Sequence, residues 1–334
     1  MLANPASSTA ASLFSALTIR GTRLPNRIVM SPMSQKKALP GGQATDWHLV
    51  HYGSRAVGGV GLVMIEDCAV RADGRTGPAS LSLETDEHVS AVRRIVRFCQ
   101  EQGSQVGIQL GHAGRKSPLP GLIGPSALPF AAGAPVPREP QADEVARIPL
   151  DFAAAARRAV AAGADVLELH ASHGYLLHQF LSPLSNHRTD RYGGPGDGRS
   201  RLLLETLQAI RTACPETVPI FVRIAVSDEA PGGLELMDGV DVCRMLHERG
   251  ADAFVPTAGR ITADAEAMEN VAEYAREIRR QTSAITVLTG GIRSADDASR
   301  VIDDAVCDLV AVGRLLLENP YWARNAWQTV LSGH

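Results

Sequence analysis

The sequence has few cysteines, and they are not grouped. Five occur among the 334 residues, without a C-x-x-C pair: Cys68, Cys99, Cys214, Cys243 and Cys307. An odd and scattered set offers no disulfide framework and no cage for zinc or an iron–sulfur cluster. We therefore expect a reducing, cytoplasmic compartment and a protein without a metal centre.

Long apolar runs and an excess of positive charge are also missing. No apolar run reaches the ~18 residues that a membrane-spanning helix needs. The first residues, MLANPASSTAAS, lack the basic start and apolar core of a secretory signal. The net charge of −3 leaves no basic field for a phosphate backbone. We predict neither a membrane nor a nucleic-acid partner, and a disordered tail over residues 1–11.

What the chain has instead is a series of short apolar runs, each followed by a segment with helical periodicity. Continuous rather than alternating apolar runs are typical of parallel strands that are covered on both faces. The runs occupy residues 26–33, 59–70, 105–110, 164–170, 218–226, 251–259, 284–291 and 307–314. Eight β/α units in one chain predict an α/β fold, a single (β/α)8 TIM barrel.

Two further absences bear on this fold. A doubly wound sheet, the alternative, usually carries a G-x-G-x-x-G turn after its first strand, whereas here the first run ends in Ser-Pro-Met. No Gly/Ser-rich linker divides the chain, so residues 12–334 are predicted to form one domain.

The stretch 117–149 follows the third run and is too rich in proline for a helix. We predict that it is an excursion on the active-site side, a lid or a hairpin.

Polar side chains cluster where the predicted strands end, which is the face that carries the chemistry of TIM barrels. His170, His173 and Tyr175 follow the fourth run. The two histidines could be a metal pair, two donors to one anionic oxygen, or structural residues. The absence of a carboxylate or cysteine at ligand spacing disfavours the metal. The tyrosine could deliver a proton to carbon, or lie in the core with a satisfied hydroxyl.

The other strand ends indicate a planar, anionic group and a phosphate. Gln109 and Arg223 lie in apolar runs, where each needs a polar partner. A fixed cation favours a group that can hold negative charge, such as a reduced flavin. Glycines end the last two runs, at 290–291 and at Gly313. They either make tight turns only or, as Arg314 beside them favours, bind a phosphate through backbone N–H groups.

These residues and motifs resemble the old yellow enzyme family of FMN-dependent ene reductases, in its bacterial branch with a His-His pair. The matching segments cover roughly residues 12–330: NRIVMSPMS, HYGSRAVGGVGLVMIE, GIQLGHAGRKS, HASHGYLLHQFLSPLSNHRTDRYGG, FVRIAVSD, TGGI and VGRLLLENP. The resemblance implies an FMN enzyme with NAD(P)H as co-substrate. Such an enzyme would reduce the C=C bond of an activated alkene, a small molecule, by a ping-pong mechanism.

The resemblance also implies a role for each candidate residue. His170 and His173 would bind the carbonyl or nitro oxygen of the substrate, and Tyr175 would give a proton to Cα. The residues expected to hold FMN are Ser31, Pro32, Met33 and Ser34 through their backbone, Gln109 and Arg223 at the isoalloxazine, Asp67 beside its C4 edge, and Gly291, Gly313 and Arg314 at the phosphate. The segment 186–192 would be structural and close the top of the barrel.

Three residues depart from the family's pattern. Ser34 stands where relatives often have a cysteine, Lys36 where they often have a substrate-binding tyrosine, and Asp67 where a small residue is usual. We expect Lys36 to line the substrate site and to pair with Asp67. Together the departures suggest a specialised substrate, and they leave a flavin-dependent desaturase as an alternative.

Two other functions remain open from the sequence. One is a flavin-free lyase or isomerase that uses the phosphate site for its substrate, although none of the apolar runs contains a supporting lysine. The other is a flavin-binding sensor without turnover, which the retained histidines and tyrosine disfavour. The chain is compatible with a homodimer, and because it ends at His334 we expect no arginine shared between subunits.

Overall fold

Eight parallel strands form a closed barrel in the computed structural model, which describes residues 13–195, 197–263 and 271–332. The described residues contain ten strands, of which the first two form a separate sheet: β1 (Leu17–Ile19), β2 (Thr22–Leu24), β3 (Ile28–Met30), β4 (Leu62–Ala69), β5 (Gln105–Gly111), β6 (Val166–Ala171), β7 (Ile220–Ser227), β8 (Ala253–Ala258), β9 (Ile285–Thr289) and β10 (Leu309–Val312). Strands β3 to β10 follow one another around the barrel, and β10 closes it against β3. The predicted TIM barrel is confirmed, with one strand in each apolar run.

Helices connect the barrel strands and cover their outer side. They are α1 (Asp46–Val57), α2 (Val89–Glu101), α3 (Ala142–Val145), α4 (Ile148–Ala161), α5 (Leu176–Leu181), α6 (Asp197–Ala213), α7 (Leu236–Glu248), α8 (Val271–Thr282), α9 (Ala295–Asp303), α10 (Arg314–Glu318) and α11 (Trp322–Ser332). Every residue of β4 and of β8 is buried. Because the outer face packs on helices and the inner face fills the barrel, these strands are apolar throughout rather than alternating.

The antiparallel hairpin of β1 and β2 closes the lower end of the barrel. Its Ile19 and Leu24 pack into the inner apolar cluster together with Leu62 and Phe221. The hairpin is fixed to the segment before β7 by a hydrogen bond of 3.0 Å from Gly21 N to Thr217 O. It therefore covers the end of the barrel at which the strands begin. The sequence interpretation did not include this hairpin.

The proline-rich stretch 117–149 is an excursion between β5 and α4, as predicted, but the hairpin interpretation is wrong. Its two arms meet in an isolated bridge between Ile123 and Arg138, and that bridge is parallel. The stretch also holds helical residues, since α3 lies within it and α4 begins at its end. Pro149 occupies the first turn of α4, where a missing N–H breaks no intrahelical hydrogen bond.

The segment 186–192 ties this excursion to the barrel top, which agrees with its expected structural role. The Arg188 guanidinium donates to the carbonyl oxygens of Pro125 at 3.1 Å and Pro140 at 2.8 Å. The Asn186 amide donates to the carbonyl oxygens of Phe180 and Tyr192. The Arg188 bonds hold the excursion over the rim of the barrel, and the Asn186 bonds fix the segment itself.

The tail predicted for residues 1–11 lies outside the described residues. Within the described ranges, no helix combines the length and apolar character needed to cross a membrane. One domain over residues 12–334 stays a prediction, as do the cytoplasmic location and the homodimer.

Candidate active site

Polar groups from neighbouring strands meet at the upper end of the barrel. The register pairs Gln109 on β5 with Glu168 on β6, and His170 on β6 with Arg223 on β7. All four side chains are buried. The parallel register therefore places groups that are far apart in the sequence side by side, as the sequence interpretation required.

Gln109, Glu168 and Arg223 form a charged layer inside the barrel. The Gln109 amide donates a hydrogen bond of 2.6 Å from Nε2 to Glu168 Oε1. Burial raises the pKa of Glu168 to about 7, against the lowering effects of the Arg223 charge and the Gln109 hydrogen bond. The Nε atom of Arg223 is buried without a hydrogen-bond partner among the described residues. Glu168 was missed by the sequence interpretation, because its alignment with Gln109 follows only from the strand register.

Asp67 contacts His170, and the predicted Lys36–Asp67 pair is wrong. Asp67 Oδ1 lies 3.1 Å from His170 Nδ1 across the barrel mouth. Lys36 is exposed with a φ of 53°, and no ion pair joins it to another described residue. A buried carboxylate is stabilised more by an adjacent buried imidazole than by an exposed ammonium, which would have to leave water to reach it.

His170 and His173 contact each other. His170 Nε2 lies 2.9 Å from His173 Nδ1, and Ser172 Oγ lies 2.9 Å from the same His173 atom. His173 has a φ of 56°, an uncommon backbone conformation for a residue with a Cβ. Its carbonyl oxygen accepts a hydrogen bond of 2.8 Å from Lys116 Nζ. The loop after β6 is therefore fixed by both side-chain and backbone contacts.

Tyr175 lies against the histidine pair. Its ring centroid is 4.7 Å from that of His170, in an edge-on arrangement. Burial, followed by the charge of Asp67, raises the pKa of Tyr175 to about 12. The phenol therefore stays protonated at neutral pH. Lys116 Nζ lies 5.7 Å from the Tyr175 ring centroid, and burial lowers the pKa of that amine to about 8.

The loop after β3 passes the start of α10. The ends of the first and last barrel strands, β3 and β10, therefore lie close together. Ser31 N donates to Val312 O at 3.0 Å, and a Cβ on Gly313 would lie 3.3 Å from Met33 Sδ. Pro32 lies partly exposed between them. These residues therefore share one side of the barrel mouth.

A buried carboxylate anchors the end of the same loop. Glu66 accepts a hydrogen bond of 3.0 Å from Gln35 N and one of 3.1 Å from the Tyr52 hydroxyl. Burial raises the pKa of Glu66 to about 7, although these two bonds and one from Ser34 oppose that rise. Apart from this hydrogen bond to Glu66, Ser34 is exposed to solvent. The sequence interpretation missed this anchoring role of Glu66.

Of the predicted phosphate residues, the glycines after β9 border open space. Gly290 and Gly291 have φ values of 86° and 74°, and a Cβ on either would meet no atom within 4 Å. Arg314 is exposed at the first residue of α10, directly after Gly313. Helix α9 begins only at Ala295, so the glycine pair lies before the helix rather than at its first turn.

A second carboxylate–imidazole pair supports the loop that carries Tyr175. Asp228 Oδ1 lies 2.8 Å from His178 Nε2, and His178 Nδ1 accepts a hydrogen bond of 2.9 Å from Gly174 N. Ser182 and the Leu234 backbone N–H donate to the other Asp228 oxygen. Burial alone would raise the pKa of Asp228, but these donors outweigh burial and lower it.

Replacing Asp228 by asparagine is expected to lower the free energy of unfolding by about 1.5–3 kcal/mol, since the amide faces buried donors with its own NH2 group. Because the folded pKa of Asp228 is lowered, its contribution is present above the ordinary aspartate range and is lost as pH falls through the folded value. Urea unfolding at several pH values measures both effects. Asp241→Asn, at an exposed position, serves as a control that should change little. An equal loss in both variants would contradict this role.

The barrel, the buried arginine and the histidine–tyrosine cluster define a flavin oxidoreductase of the TIM-barrel class. The family model of the NADH:flavin oxidoreductase / NADH oxidase family matches residues 12–331. The chain is 41% identical to an NADPH dehydrogenase of Geobacillus sp. (strain WCH70), over 93% of this chain and 92% of that protein. It belongs to this FMN-dependent family, which includes the old yellow enzymes.

Solved structures show the same fold over nearly the whole chain. An old yellow enzyme homologue from Zymomonas mobilis has a TM-score of 0.83 and 25% identity, covering 95% of this chain and 93% of its own. Morphinone reductase in complex with tetrahydroNAD has a TM-score of 0.84 and 26% identity, covering 96% of this chain and 91% of its own. The protein is thus an NAD(P)H-dependent FMN oxidoreductase, and the flavin-free lyase or isomerase alternative is wrong.

The residues at the barrel mouth fit FMN. The buried Arg223 Nε needs an acceptor that the described residues do not supply, and the pyrimidine edge of an isoalloxazine carries such acceptors. The open glycines at 290–291 leave backbone N–H groups and space for a phosphate. Membership of the His-His branch stays a prediction.

Proposed function

We propose that this enzyme reduces the C=C bond of an activated alkene, such as an α,β-unsaturated carbonyl compound, with NAD(P)H in a ping-pong mechanism. The observation that carries the proposal is the contact of His170, His173 and Tyr175 at one end of the barrel, beside the buried Arg223. This arrangement combines a hydrogen-bonding site for an oxygen with a protonated acid.

The cofactor would be held by three groups of residues. Gln109 and Arg223 would hydrogen-bond the isoalloxazine, and Asp67 would lie near its C4 edge. Ser31, Pro32, Met33 and Ser34 would contact the cofactor through their backbone. Gly291, Gly313 and Arg314 would bind its phosphate. When bound, FMN supplies the hydride that reaches Cβ of the alkene, having been reduced by NAD(P)H.

The protein side chains would act on the two ends of the activated alkene. A hydrogen bond from the histidine pair to the carbonyl or nitro oxygen stabilises the negative charge that develops there, worth about 2.7–4 kcal/mol in comparable oxyanion sites. Tyr175 delivers the proton to Cα, because its pKa of about 12 keeps it protonated at neutral pH. Lys36, exposed beyond β3, would meet an acidic substituent of the substrate.

A ping-pong order follows from the presence of one mouth for both substrates. The nicotinamide and the alkene would each need the histidine–tyrosine face of the barrel, so the first must leave before the second binds. The tetrahydroNAD complex of morphinone reductase supports a nicotinamide site on this fold.

Desaturation, the reverse reaction, is the second candidate. It needs a base that removes a proton from Cα, and a Tyr175 with a pKa of about 12 is a poor base at neutral pH. The reductive direction is therefore the one that the site favours, even though Asp67 adds a carboxylate nearby.

An anaerobic titration tests the proposal. NADPH is expected to bleach the flavin absorbance of the holoenzyme, and cyclohexenone added afterwards is expected to restore it, with cyclohexanone as the product. Initial rates at varied NADPH and enone should give parallel double-reciprocal lines. A flavin that NADPH reduces but no enone, nitroalkene or unsaturated acid reoxidises would refute alkene reduction.

A further inference from the structure

We propose that Asp67, His170 and His173 form a proton relay that must gain one proton before the site can donate a hydrogen bond to a substrate oxygen. Asp67 acts as a positioning residue in this relay, because it fixes which nitrogen of His170 carries the proton. The inference rests on the proposed function in one respect, that an acceptor oxygen binds at the histidine pair.

The contacts leave one free nitrogen in the chain of three groups. Asp67 Oδ1 lies 3.1 Å from His170 Nδ1, and His170 Nε2 lies 2.9 Å from His173 Nδ1. Nε2 of His173 has no hydrogen-bond partner among the described residues, and this side chain is partly exposed. The outer end of the relay is therefore His173 Nε2.

The Asp67 carboxylate determines whether this outer nitrogen donates or accepts a hydrogen bond. An ionised carboxylate only accepts hydrogen bonds, so His170 must carry its proton on Nδ1. In a neutral ring the Nε2 atom of His170 then has a lone pair and accepts from the Nδ1–H of His173. A neutral His173 with its proton on Nδ1 has a lone pair on Nε2. With both rings neutral, the relay therefore presents an acceptor, which cannot bind a carbonyl oxygen.

One added proton turns His173 Nε2 from a hydrogen-bond acceptor into a donor. The proton binds to His173 Nε2, and the proton on His173 Nδ1 moves to His170 Nε2. His170 is then a cation between the Asp67 carboxylate and His173, while His173 is neutral and donates through Nε2–H. The net charge of the three groups changes from −1 to 0, and the site can now polarise a carbonyl.

The surroundings favour the neutral rings at rest. Burial lowers the pKa of His170, and the charge and hydrogen bond of Asp67 only partly oppose this. Burial, followed by the charge of Arg223, lowers the pKa of His173 well below its usual value. The titratable and charged groups around these two rings are Asp67 from β4, Arg223 from β7, His178 from α5 and Arg260 from the segment after β8, with Tyr175 in ring contact and Lys116, whose Nζ donates to the His173 carbonyl oxygen at 2.8 Å.

Gly111 provides the space that Asp67 occupies. A Cβ on Gly111 would overlap Asp67 Oδ1 and lie 2.8 Å from its carboxyl carbon. Gly111 ends β5, the strand between those that carry Asp67 and His170. The relay therefore depends on this pair, a carboxylate on one strand and a glycine on the next.

The test uses the oxidised holoenzyme and cyclohexenone, a neutral ligand without a titrating group, with binding followed by the flavin absorbance. The dissociation constant of the wild-type protein is expected to rise about tenfold per pH unit above the relay's pKa, since binding takes up one proton. In the Asp67→Ala and Asp67→Asn variants, no carboxylate requires His170 to carry its proton on Nδ1. His170 can then donate through Nε2, and the dissociation constant should be independent of pH over the same range.

Gly111→Ala provides a matched control. With Asp67 present, the added methyl displaces the carboxylate, and the pH dependence should weaken or disappear. In the Asp67→Ala background the same methyl meets no carboxylate and should change nothing. This difference separates the relay from a general effect of either substitution on the barrel.

Three outcomes would overturn the proposal. The first is a wild-type dissociation constant that does not change with pH, and the second is an unchanged pH dependence in both Asp67 variants. If cyclohexenone binds at no pH, a nitroalkene and an unsaturated acid take its place, and the proposed alkene function fails if none of the three binds. Nitrogen-15 shifts of the histidine rings in the ligand-free holoenzyme then decide on the relay. The relay is supported if His170 carries its proton on Nδ1 in the wild-type protein and no longer does so predominantly in Asp67→Ala. It is overturned if Nδ1 of His170 is unprotonated in the wild-type protein.

Discussion

Replacing Tyr175 by phenylalanine is expected to slow the reduction of an enone by about 10²–10⁴-fold, the usual contribution of a positioned general acid. Reduction of the flavin by NADPH should keep its wild-type rate, because that step transfers a hydride and needs no proton from Tyr175. The substitution removes only the hydroxyl, and the ring can keep its contact with His170 at 4.7 Å between centroids. Stopped-flow measurement of the two half-reactions separates these effects.

The control for this variant is Tyr321→Phe, at an exposed tyrosine of the surface. It should leave both half-reactions unchanged. An unchanged enone half-reaction in Tyr175→Phe would contradict the proposed role and point to another acid. Lys116 is the first alternative to examine, since its pKa of about 8 and its position over the Tyr175 ring suit proton transfer.

Replacing Arg223 by methionine is expected to give a protein that does not retain FMN and is less stable. Removal of a buried charge destabilises the fold when it leaves an opposite buried charge uncompensated, by up to about 3–5 kcal/mol where the two form an ion pair. No ion pair joins Arg223 to another described residue, but Glu168 is the buried carboxyl whose charge acts on it most, and burial already raises the pKa of Glu168 to about 7. Without the Arg223 charge the pKa of Glu168 rises further, above about 7, so the loss of stability should be largest at alkaline pH and should shrink as pH falls toward about 7, where Glu168 of the variant binds a proton.

Adding Glu168→Gln to the Arg223→Met variant tests this explanation. The double variant should recover most of the stability in urea unfolding, because no buried charge is left unpaired. It should not recover FMN, because the donor to the isoalloxazine is still missing. Retention of FMN by Arg223→Met at wild-type affinity would show that Arg223 does not hold the cofactor.

The barrel could be predicted from the sequence because each strand is buried on both faces and therefore reads as a continuous apolar run. The β1–β2 hairpin could not, since its strands have three residues each and leave no periodic pattern. Helix α3 and the first residues of α4 were missed because the stretch 117–149 is rich in proline. Pro149 argues against a helix interior, but in the structure it lies in the first turn of α4.

The site was predicted as a set of residues but not as a set of contacts. Position along the sequence places His170, His173 and Tyr175 after one strand, and the structure keeps them together. Which carboxylate faces them depends on strand register and side-chain direction. Asp67 therefore contacts His170 rather than Lys36, and Glu168 receives the hydrogen bond from Gln109.

The most direct test of the central claim is the position of hydrogen in the product. Holoenzyme in ordinary water is given cyclohexenone and NADPH deuterated at C4 on the transferred face, and the product is analysed by NMR. The expected product is cyclohexanone with one deuterium at the former Cβ and a solvent-derived hydrogen at Cα. Deuterium at Cα, deuterium at the carbonyl carbon of an allylic alcohol, or cyclohexenone that stays unreduced while NADPH is consumed would contradict it.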